Sequence, residues 1–198
     1  MKTIKYLLLV FVMVNFASMS IGQDNNSLKK IKVDHRNHGY GIEGQKAPEF
    51  NVPQWVNENG ASIEPISLED YDGKFKVIYC FQAWCPGCHS RGLPALQEMT
   101  KALEGNDEVV FLAIQTVFEG KSSNTFERMK EIQKEYDLKI PFGHDVGSEH
   151  TRNVSSVLQN YRTGGTPWFI FIDQEGKVIF NDYHLNTEMA IEYLKKVK

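Results

Sequence analysis

The chain has 198 residues, enough for one domain of ordinary size, and 41% of them are hydrophobic and 24% charged. That composition excludes a disordered or collagen-like chain. The chain has 22 Lys and Arg and 25 Asp and Glu, so its formal net charge is -3. The sequence therefore lacks the basic character typical of nucleic-acid-binding proteins. Its three cysteines are too few for a small fold that depends on disulfides.

Residues 1–22 have the three-part pattern of a secretory signal peptide. Lys2 and Lys5 give a positive start, the apolar run YLLLVFVMV occupies 6–14, and small residues follow up to Gly22. This run is much shorter than the roughly 20 residues that a membrane-spanning helix needs. We therefore expect cleavage near Gly22 and export to the periplasm, or a membrane anchor if the signal stays uncleaved.

The remaining chain divides into a polar start and a region of regular apolar patterns. Residues 23–44 are polar and lack an apolar period, which predicts a linker, and residues 45–198 are expected to form the domain. Short runs rich in β-branched and aromatic residues predict strands at 76–83, 109–117, 168–172 and 177–180. The sequence DQEG at 173–176 predicts a hairpin turn between the last two strands.

Apolar residues at helical spacing predict four helices that alternate with the strands, with stripes at 93–103, 126–136, 154–161 and 190–197. Asn124 and Glu127 predict a capping box at the second helix, and Gly164-Gly165 predicts the end of the third. Since crossover connections are right-handed, this order predicts an α/β fold with a mixed central sheet and helices on both faces.

A Cys-x-x-Cys motif stands where the first predicted strand passes into the first helix, in the sequence WCPGCH at 84–89. A helix N-terminus favours a thiolate, because unpaired N–H groups and the helix dipole act there. Two intervening residues let the second sulfur reach the first, so the pair can cycle between dithiol and disulfide. We predict that Cys85 attacks a substrate disulfide and that Cys88 resolves the mixed disulfide.

Four segments carry a resemblance to a known family. FQAWCPGC at 81–88 resembles the active-site segment of the thioredoxin superfamily. GQKAPEF at 44–50, LEDYDGK at 68–74 and GGTPWFIFID at 164–173 are similar to segments of its TlpA/ResA-like branch of exported thiol–disulfide oxidoreductases. The resemblance covers residues 44–198 and implies a thioredoxin-like fold, disulfide exchange and a cis peptide bond at Pro167. It also implies a helix and a short strand inserted at 118–150.

The predicted turn at Thr166-Pro167 suits substrate binding. Only X-Pro bonds adopt the cis form cheaply, and a cis proline exposes the preceding backbone for pairing with a substrate. We expect Thr166 and Pro167 to position the substrate, and Trp84 and Pro86 to shape the access surface. The Cys85–Cys88 disulfide is itself the redox carrier, so no cofactor is expected. We expect the protein to be a monomer. Its expected partners are protein thiols or disulfides and an upstream electron donor or acceptor.

Two positions depart from the pattern of this branch. Arg91 stands three residues after the second cysteine, where the branch commonly has a Glu that assists proton transfer. Pro94 comes six residues after Cys88, where the branch has its helix proline at five. The first departure leaves the proton-transfer group open, and the second leaves the local register of the helix open.

Other chemistries can use some of the same residues. CPGCH is also the attachment pattern of c-type haem, with His89 as the axial ligand. APEF at 47–50 is shared with peroxiredoxins, but their peroxide site has a Thr and a Pro where this chain has Gln82 and Ile78. A zinc site would need a second cysteine pair, which the sequence lacks. A binding module without catalysis remains compatible with the fold.

The third cysteine, Cys80, precedes Cys85 by five residues on the predicted strand. At ~3.3 Å per residue the two are roughly 16 Å apart, too far for an undistorted disulfide. We expect Cys80 to be a small buried hydrophobic residue.

Overall fold

The computed structural model of the protein describes residues 25–33 and 39–198, so the predicted signal peptide at 1–22 lies outside the described residues. The strands are β1 (Gln54–Val56), β2 (Ser62–Ile63), β3 (Phe75–Phe81), β4 (Val109–Thr116), β5 (Phe142–Asp145), β6 (Trp168–Ile172) and β7 (Val178–Asp182). The α-helices are α1 (Asn25–Ile31), α2 (Leu93–Ala102), α3 (Phe126–Glu135), α4 (Ser156–Asn160) and α5 (Thr187–Leu194). In the described part of the chain no helix is long and apolar enough to cross a membrane.

All seven strands belong to one mixed sheet, in the order β2-β1-β5-β4-β3-β6-β7. Strands β3, β4 and β5 pair in parallel, and every other pairing is antiparallel. The predicted hairpin between β6 and β7 is confirmed, and the Asp173 side chain accepts hydrogen bonds from Glu175 N and Lys177 N at 3.1 and 2.8 Å. The central position of β3 explains why each of its seven residues is buried.

Alternate residues of β3 supply two separate cores. Tyr79 and Phe81 point to the face that α1, α2, α3 and α5 cover. Ile78 and Cys80 point to the other face, where α4 and the segment before β1 pack. The prediction of helices on both faces is therefore confirmed, and Cys80 lies on the opposite side of the sheet from Cys85 and its partner cysteine.

The predicted insertion between the two halves of the fold is confirmed as α3 and β5. The capping box predicted for α3 is wrong, because the N-cap is Thr125, whose side chain accepts a hydrogen bond from Arg128 N at 3.1 Å. Asn124 is buried, and its side chain binds the backbone of another loop. The Asn124 side chain therefore bonds a distant segment of the chain and does not cap α3 as the sequence predicted.

Helix α1 lies within the range predicted as a linker. Ile31 at its end is buried, and the helix packs beside α5. Next to it, Lys32 pairs with Leu185 in an isolated β-bridge, and its Nζ lies 2.7 Å from a Glu43 carboxylate oxygen. Leu28, three residues before Ile31, is partly buried against the same core, and two apolar residues are too few to give a recognisable helical period in the sequence.

Candidate active site

The Cys-x-x-Cys motif follows the end of β3 directly, after a short turn. Strand β3 ends at Phe81, two residues earlier than the sequence predicts, and helical structure begins at Pro86. Cys85 therefore stands at the start of the helix, as predicted. The Cys88 N–H donates to Cys85 Sγ at 3.3 Å, and both residues are free thiols in the structure. A helix N–H that points at a sulfur stabilises negative charge there.

The two thiols differ in their access to solvent. Cys85 retains 7% of its exposure, whereas Cys88 retains none. Burial raises the pKa of the Cys88 thiol to about 12; a hydrogen bond with Cys85 adds to the rise, and one from Tyr79 opposes it. Cys88 is therefore held as a protonated thiol inside the protein, and Cys85 is the outer sulfur that a substrate can meet.

The predicted substrate loop lies against the cysteine pair. The Thr166–Pro167 peptide bond is cis, as the sequence predicts, and the Cys85 thiol donates to Thr166 O at 3.5 Å. Pro167 packs on Gly87, where an added Cβ would stand 3.2 Å from Pro167 Cδ. The backbone that would pair with a substrate is therefore next to the outer sulfur.

Trp84 and Pro86 lie on the rim of the site. Both are exposed, and Trp84 retains 46% of its accessible surface. The indole of Trp84 lies over Gly120, where an added Cβ would stand 2.8 Å from Trp84 Nε1. The inserted loop after β4 thus contacts the residue that precedes Cys85.

A buried amide that the sequence analysis did not assign to the site fixes the turn before Cys85. Asn124 Oδ1 accepts the Ala83 N–H at 2.7 Å, and its Nδ2 donates to Glu119 O and Gly120 O, each at 3.0 Å. Asn124 thereby holds the active-site turn to the inserted loop. The spacing of 41 residues between Asn124 and Ala83 leaves no local sequence signal for this contact.

His89 is bonded at both ring nitrogens. Its Nε2 lies 2.7 Å from Ala83 O and its Nδ1 lies 2.9 Å from the Tyr136 hydroxyl. A carbonyl oxygen only accepts, so Nε2 carries the proton and the Tyr136 hydroxyl donates to Nδ1 in the neutral ring. For His89 to bind a haem iron, its ring would have to give up one of these two hydrogen bonds.

One turn of π-helix joins the motif to α2. It covers Cys88–Gly92, and the Leu93 N–H donates to Cys88 O across five residues. A π-turn adds one residue to a helix. The extra residue shifts Pro94 by one position within a helical backbone that is continuous from Pro86 through α2. The π-turn accounts for the position of Pro94, which comes six residues after Cys88 where the TlpA/ResA-like branch has five.

Comparisons with known proteins identify the family of this chain. Residues 43–181 match the model of the AhpC/TSA family. The chain is 30% identical to "Thiol-disulfide oxidoreductase ResA" of Bacillus thuringiensis subsp. konkukian. That alignment spans 156 residues and covers 78% of each chain. The chain is similar in structure to a thiol-disulfide isomerase from Corynebacterium glutamicum, with a TM-score of 0.67, 27% identity and coverage of 79% of this chain and 97% of that one.

A second solved structure, the thioredoxin-like superfamily protein SPOA0173, gives a TM-score of 0.67 at 30% identity and covers 78% of this chain and 96% of that one. The predicted thioredoxin-like fold is therefore confirmed.

Proposed function

The chain belongs to the AhpC/TSA family and is a thioredoxin-like thiol–disulfide oxidoreductase of the ResA type, and we propose that Cys85 and Cys88 are its redox-active pair. One arrangement carries this proposal. The outer Cys85 sulfur accepts the Cys88 N–H at 3.3 Å and lies 3.5 Å from Thr166 O, while Cys88 is buried directly behind it. An accessible nucleophile and a shielded resolving thiol are what two-step disulfide exchange requires.

The proposed exchange has two steps. The Cys85 thiolate attacks one sulfur of a substrate disulfide, so a mixed disulfide forms and the other substrate sulfur leaves. Cys88 then attacks the Cys85 sulfur, which releases the second substrate sulfur and leaves the Cys85–Cys88 disulfide. The same steps in reverse oxidise a dithiol. No cofactor takes part, because the pair itself carries the two electrons.

The substrates in this proposal are proteins. A polypeptide in extended conformation can pair with the backbone of Thr166 beside Pro167, and the exposed Trp84 and Pro86 can contact its side chains. A separate electron donor or acceptor returns the pair to its starting state, and the protein works as a monomer. Nothing in the net charge of -3 favours a nucleic-acid partner.

We further propose that the protein works outside the cytoplasm. The support is the signal-like sequence at 1–22, with Lys2 and Lys5 before an apolar run. Cell fractionation and N-terminal sequencing test this: a periplasmic chain that begins near Gln23 supports export with cleavage. A full-length chain in the membrane fraction supports an uncleaved anchor, and a full-length cytoplasmic chain contradicts export.

Trapping of mixed disulfides tests the roles of the cysteines. Cys88→Ser removes the resolving thiol, so substrates should remain bound to Cys85 and should be released by a reductant. Cys80→Ser is the matched control, because it also removes a buried thiol but leaves the pair intact, and it should trap nothing. Adducts that persist in the Cys85→Ser, Cys88→Ser double variant would assign the reactivity to Cys80 and contradict the proposal.

Peroxide reduction, the alternative within this family, has less structural support. Gln82 occupies the position where a peroxide site has its Thr, and its Nε2 donates to Thr116 O at 3.2 Å, within the buried network around Asn124. The same variants distinguish the two activities: peroxide consumption that depends on Cys85, without any exchange with disulfides, would favour the alternative.

A further inference from the structure

An aromatic pocket of about 300 Å³ opens beside the substrate loop. Trp168, the residue after Pro167, forms its floor, and Tyr40 and Tyr183 form its walls. Trp168 is buried, whereas Tyr40 retains 58% of its exposure and Tyr183 retains 38%. The rest of the lining consists of Val33, Gly164, Asp182 and His184. This volume is at the lower end of the range for ligand pockets, so the pocket suits a single side chain better than a cofactor.

The indole on the floor of the aromatic pocket is fixed before any ligand binds. Its Nε1 donates to Asn181 Oδ1 at 2.5 Å, and Asn181 Nδ2 donates to Tyr161 O at 2.9 Å. The Tyr40 ring stands at 81° to the indole, with centroids 6.2 Å apart, and the Tyr183 ring at 66° and 6.3 Å. Aromatic pairs prefer such edge-to-face packing. The pocket therefore offers aromatic faces and edges to a further ring.

The aromatic pocket adjoins the reactive sulfur. A Cβ added to Gly87, which lies between the two cysteines, would stand 3.9 Å from the Tyr183 hydroxyl. Thr166 O, two residues before Trp168, lies 3.5 Å from Cys85 Sγ. In an extended polypeptide, side chains two residues apart lie on the same face, about 6.6 Å from each other. A substrate whose cysteine meets Cys85 can therefore place the side chain two residues away in the pocket.

Large exposed hydrophobic side chains are concentrated on this face of the protein. In the described part of the chain they are Val33, Tyr40, Ile63, Trp84 and Tyr183. Three of them line the aromatic pocket, and Trp84 directly precedes Cys85. Only Ile63 lies elsewhere, on β2 at the opposite edge of the sheet from β7. An exposed apolar patch beside a reactive group marks a surface that binds a partner.

The polar groups of the lining do not oppose an apolar ligand. The carboxylate of Asp182 already has partners, since Oδ2 lies 3.6 Å from Lys32 Nζ and Oδ1 accepts the Tyr183 N–H at 2.7 Å. The His184 ring packs on Tyr183, with centroids 4.1 Å apart. Burial lowers the pKa of His184, and the charge of Arg91 adds to the drop, so this ring is neutral near pH 7. Filling the pocket therefore buries no unpaired charge from these two residues.

We propose that the aromatic pocket binds an aromatic side chain of a protein substrate, two residues from the cysteine that reacts with Cys85. The inference rests on the proposed role of Cys85 as the nucleophile. Of the lining residues, only Gly164 and Trp168 lie within residues 43–181, so membership of the family does not by itself predict this selectivity. Aromatic side chains seated in preformed pockets contribute strongly to protein interfaces.

Competition between peptides for one sulfur tests the proposal. Three synthetic peptides carry one central cysteine and differ only two positions from it, with Phe before it, Phe after it, or Ala at both places. Cys88→Ser protein is first loaded with glutathione as a mixed disulfide on Cys85. A peptide thiolate then attacks the Cys85 sulfur, the bond to glutathione breaks, and glutathione leaves as a thiolate, so the number of disulfides is unchanged. Mass spectrometry measures the ratio of adducts at equilibrium.

We expect one of the two Phe peptides to exceed the Ala peptide about three- to tenfold, because the pocket lies on one side of Cys85. The other Phe peptide should match the Ala peptide. Since all peptides compete for the same sulfur, a change in the reactivity of Cys85 affects them alike and leaves the ratio unchanged. Equal enrichment of both Phe peptides would show a general preference for apolar peptides and would overturn the proposal.

Variants of one wall connect the ratio to the aromatic pocket. Tyr40→Ala should bring the ratio to about one, whereas Tyr40→Phe keeps the ring and should retain the preference. Ile63→Ala is the matched control, because it also shortens an exposed hydrophobic side chain but lies at the far edge of the sheet, and it should retain the preference. A preference that survives in Tyr40→Ala would overturn the role of the pocket.

The remaining outcomes separate this inference from the proposed function. Equal adducts from all three peptides would overturn the inference alone, whereas failure of every peptide to bond to Cys85 would overturn the proposed function with it. Sedimentation tests a second copy of the chain as the occupant. We expect a monomer at all concentrations, and a dimer that Tyr40→Ala dissociates would assign the aromatic pocket to self-association and overturn the proposal.

Discussion

Asn124 holds the backbone of Ala83 across the site: its Oδ1 accepts the Ala83 N–H at 2.7 Å, and both groups are buried. The same amide donates to Glu119 O and Gly120 O. The turn that presents Cys85 is therefore positioned by the inserted loop as well as by β3.

Asn124→Ala should destabilise the protein, because it removes the side-chain partner of the Ala83 N–H and of Glu119 O, whereas Gly120 O keeps the backbone N–H groups of Ser123 and residue 124. An unsatisfied buried donor costs about 1–3 kcal/mol, and we expect a loss in that range from urea unfolding. Asn59→Ala is the control, because Asn59 bonds only exposed groups, and it should cost less than about 0.5 kcal/mol. Equal losses in the two variants would contradict the anchoring role.

Gly92→Ala should destabilise the protein through direct overlap with Tyr79. The new Cβ would stand 2.2 Å from the hydroxyl and 2.7 Å from the ring, so either the helix or the phenol must move. Overpacking of this kind costs about 1–3 kcal/mol, measurable by thermal unfolding of the reduced protein. Gly87→Ala, with its nearest atom at 3.2 Å, should cost less; the reverse order would contradict this packing.

The stability of the reduced protein should fall at alkaline pH. The pKa of Cys88 is about 12 in the folded protein but ~8.5 in an unfolded chain, so only the unfolded chain loses this proton between those values. The stabilisation is present below about pH 8.5 and is lost as the pH rises toward 12, by up to about 1.4 kcal/mol per pH unit. Urea unfolding of wild type and Cys88→Ala at several pH values should show wild type losing stability faster. Parallel curves would show that Cys88 is not shielded as described.

Alkylation should distinguish the three cysteines. Iodoacetamide should modify Cys85 first, because Cys85 alone retains exposed surface, while Cys88 and Cys80 have none. Burial raises the pKa of Cys80 as well, and the charge of Asp145 adds to the rise, so Cys80 should react only in denaturant. Peptide mapping by mass spectrometry measures the order, and early labelling of Cys80 would contradict its place in the core.

Local patterns in the sequence predict the parts of the site that lie close together along the chain. The strand before Cys85, the start of the helix and the turn at Thr166-Pro167 each follow from residue type and spacing. The contacts made by Tyr79 and Asn124 were not predicted, since each depends on another segment of the chain. The same limit applied to α1, where the packing of Ile31 on α5 depends on the far end of the sequence.

If the protein is exported as we propose, the placement of Cys80 has a consequence for how the chain matures in an oxidising compartment. Before the sheet forms, an oxidant can join any two of the three cysteines, because all of them lie within a short flexible segment. Once β3 is buried, the sheet separates Cys80 from the other two thiols, and a bond to Cys80 is incompatible with the native strand. Folding itself therefore rejects the incorrect pairings, so an isomerase would be needed only by chains that are oxidised before β3 joins the sheet.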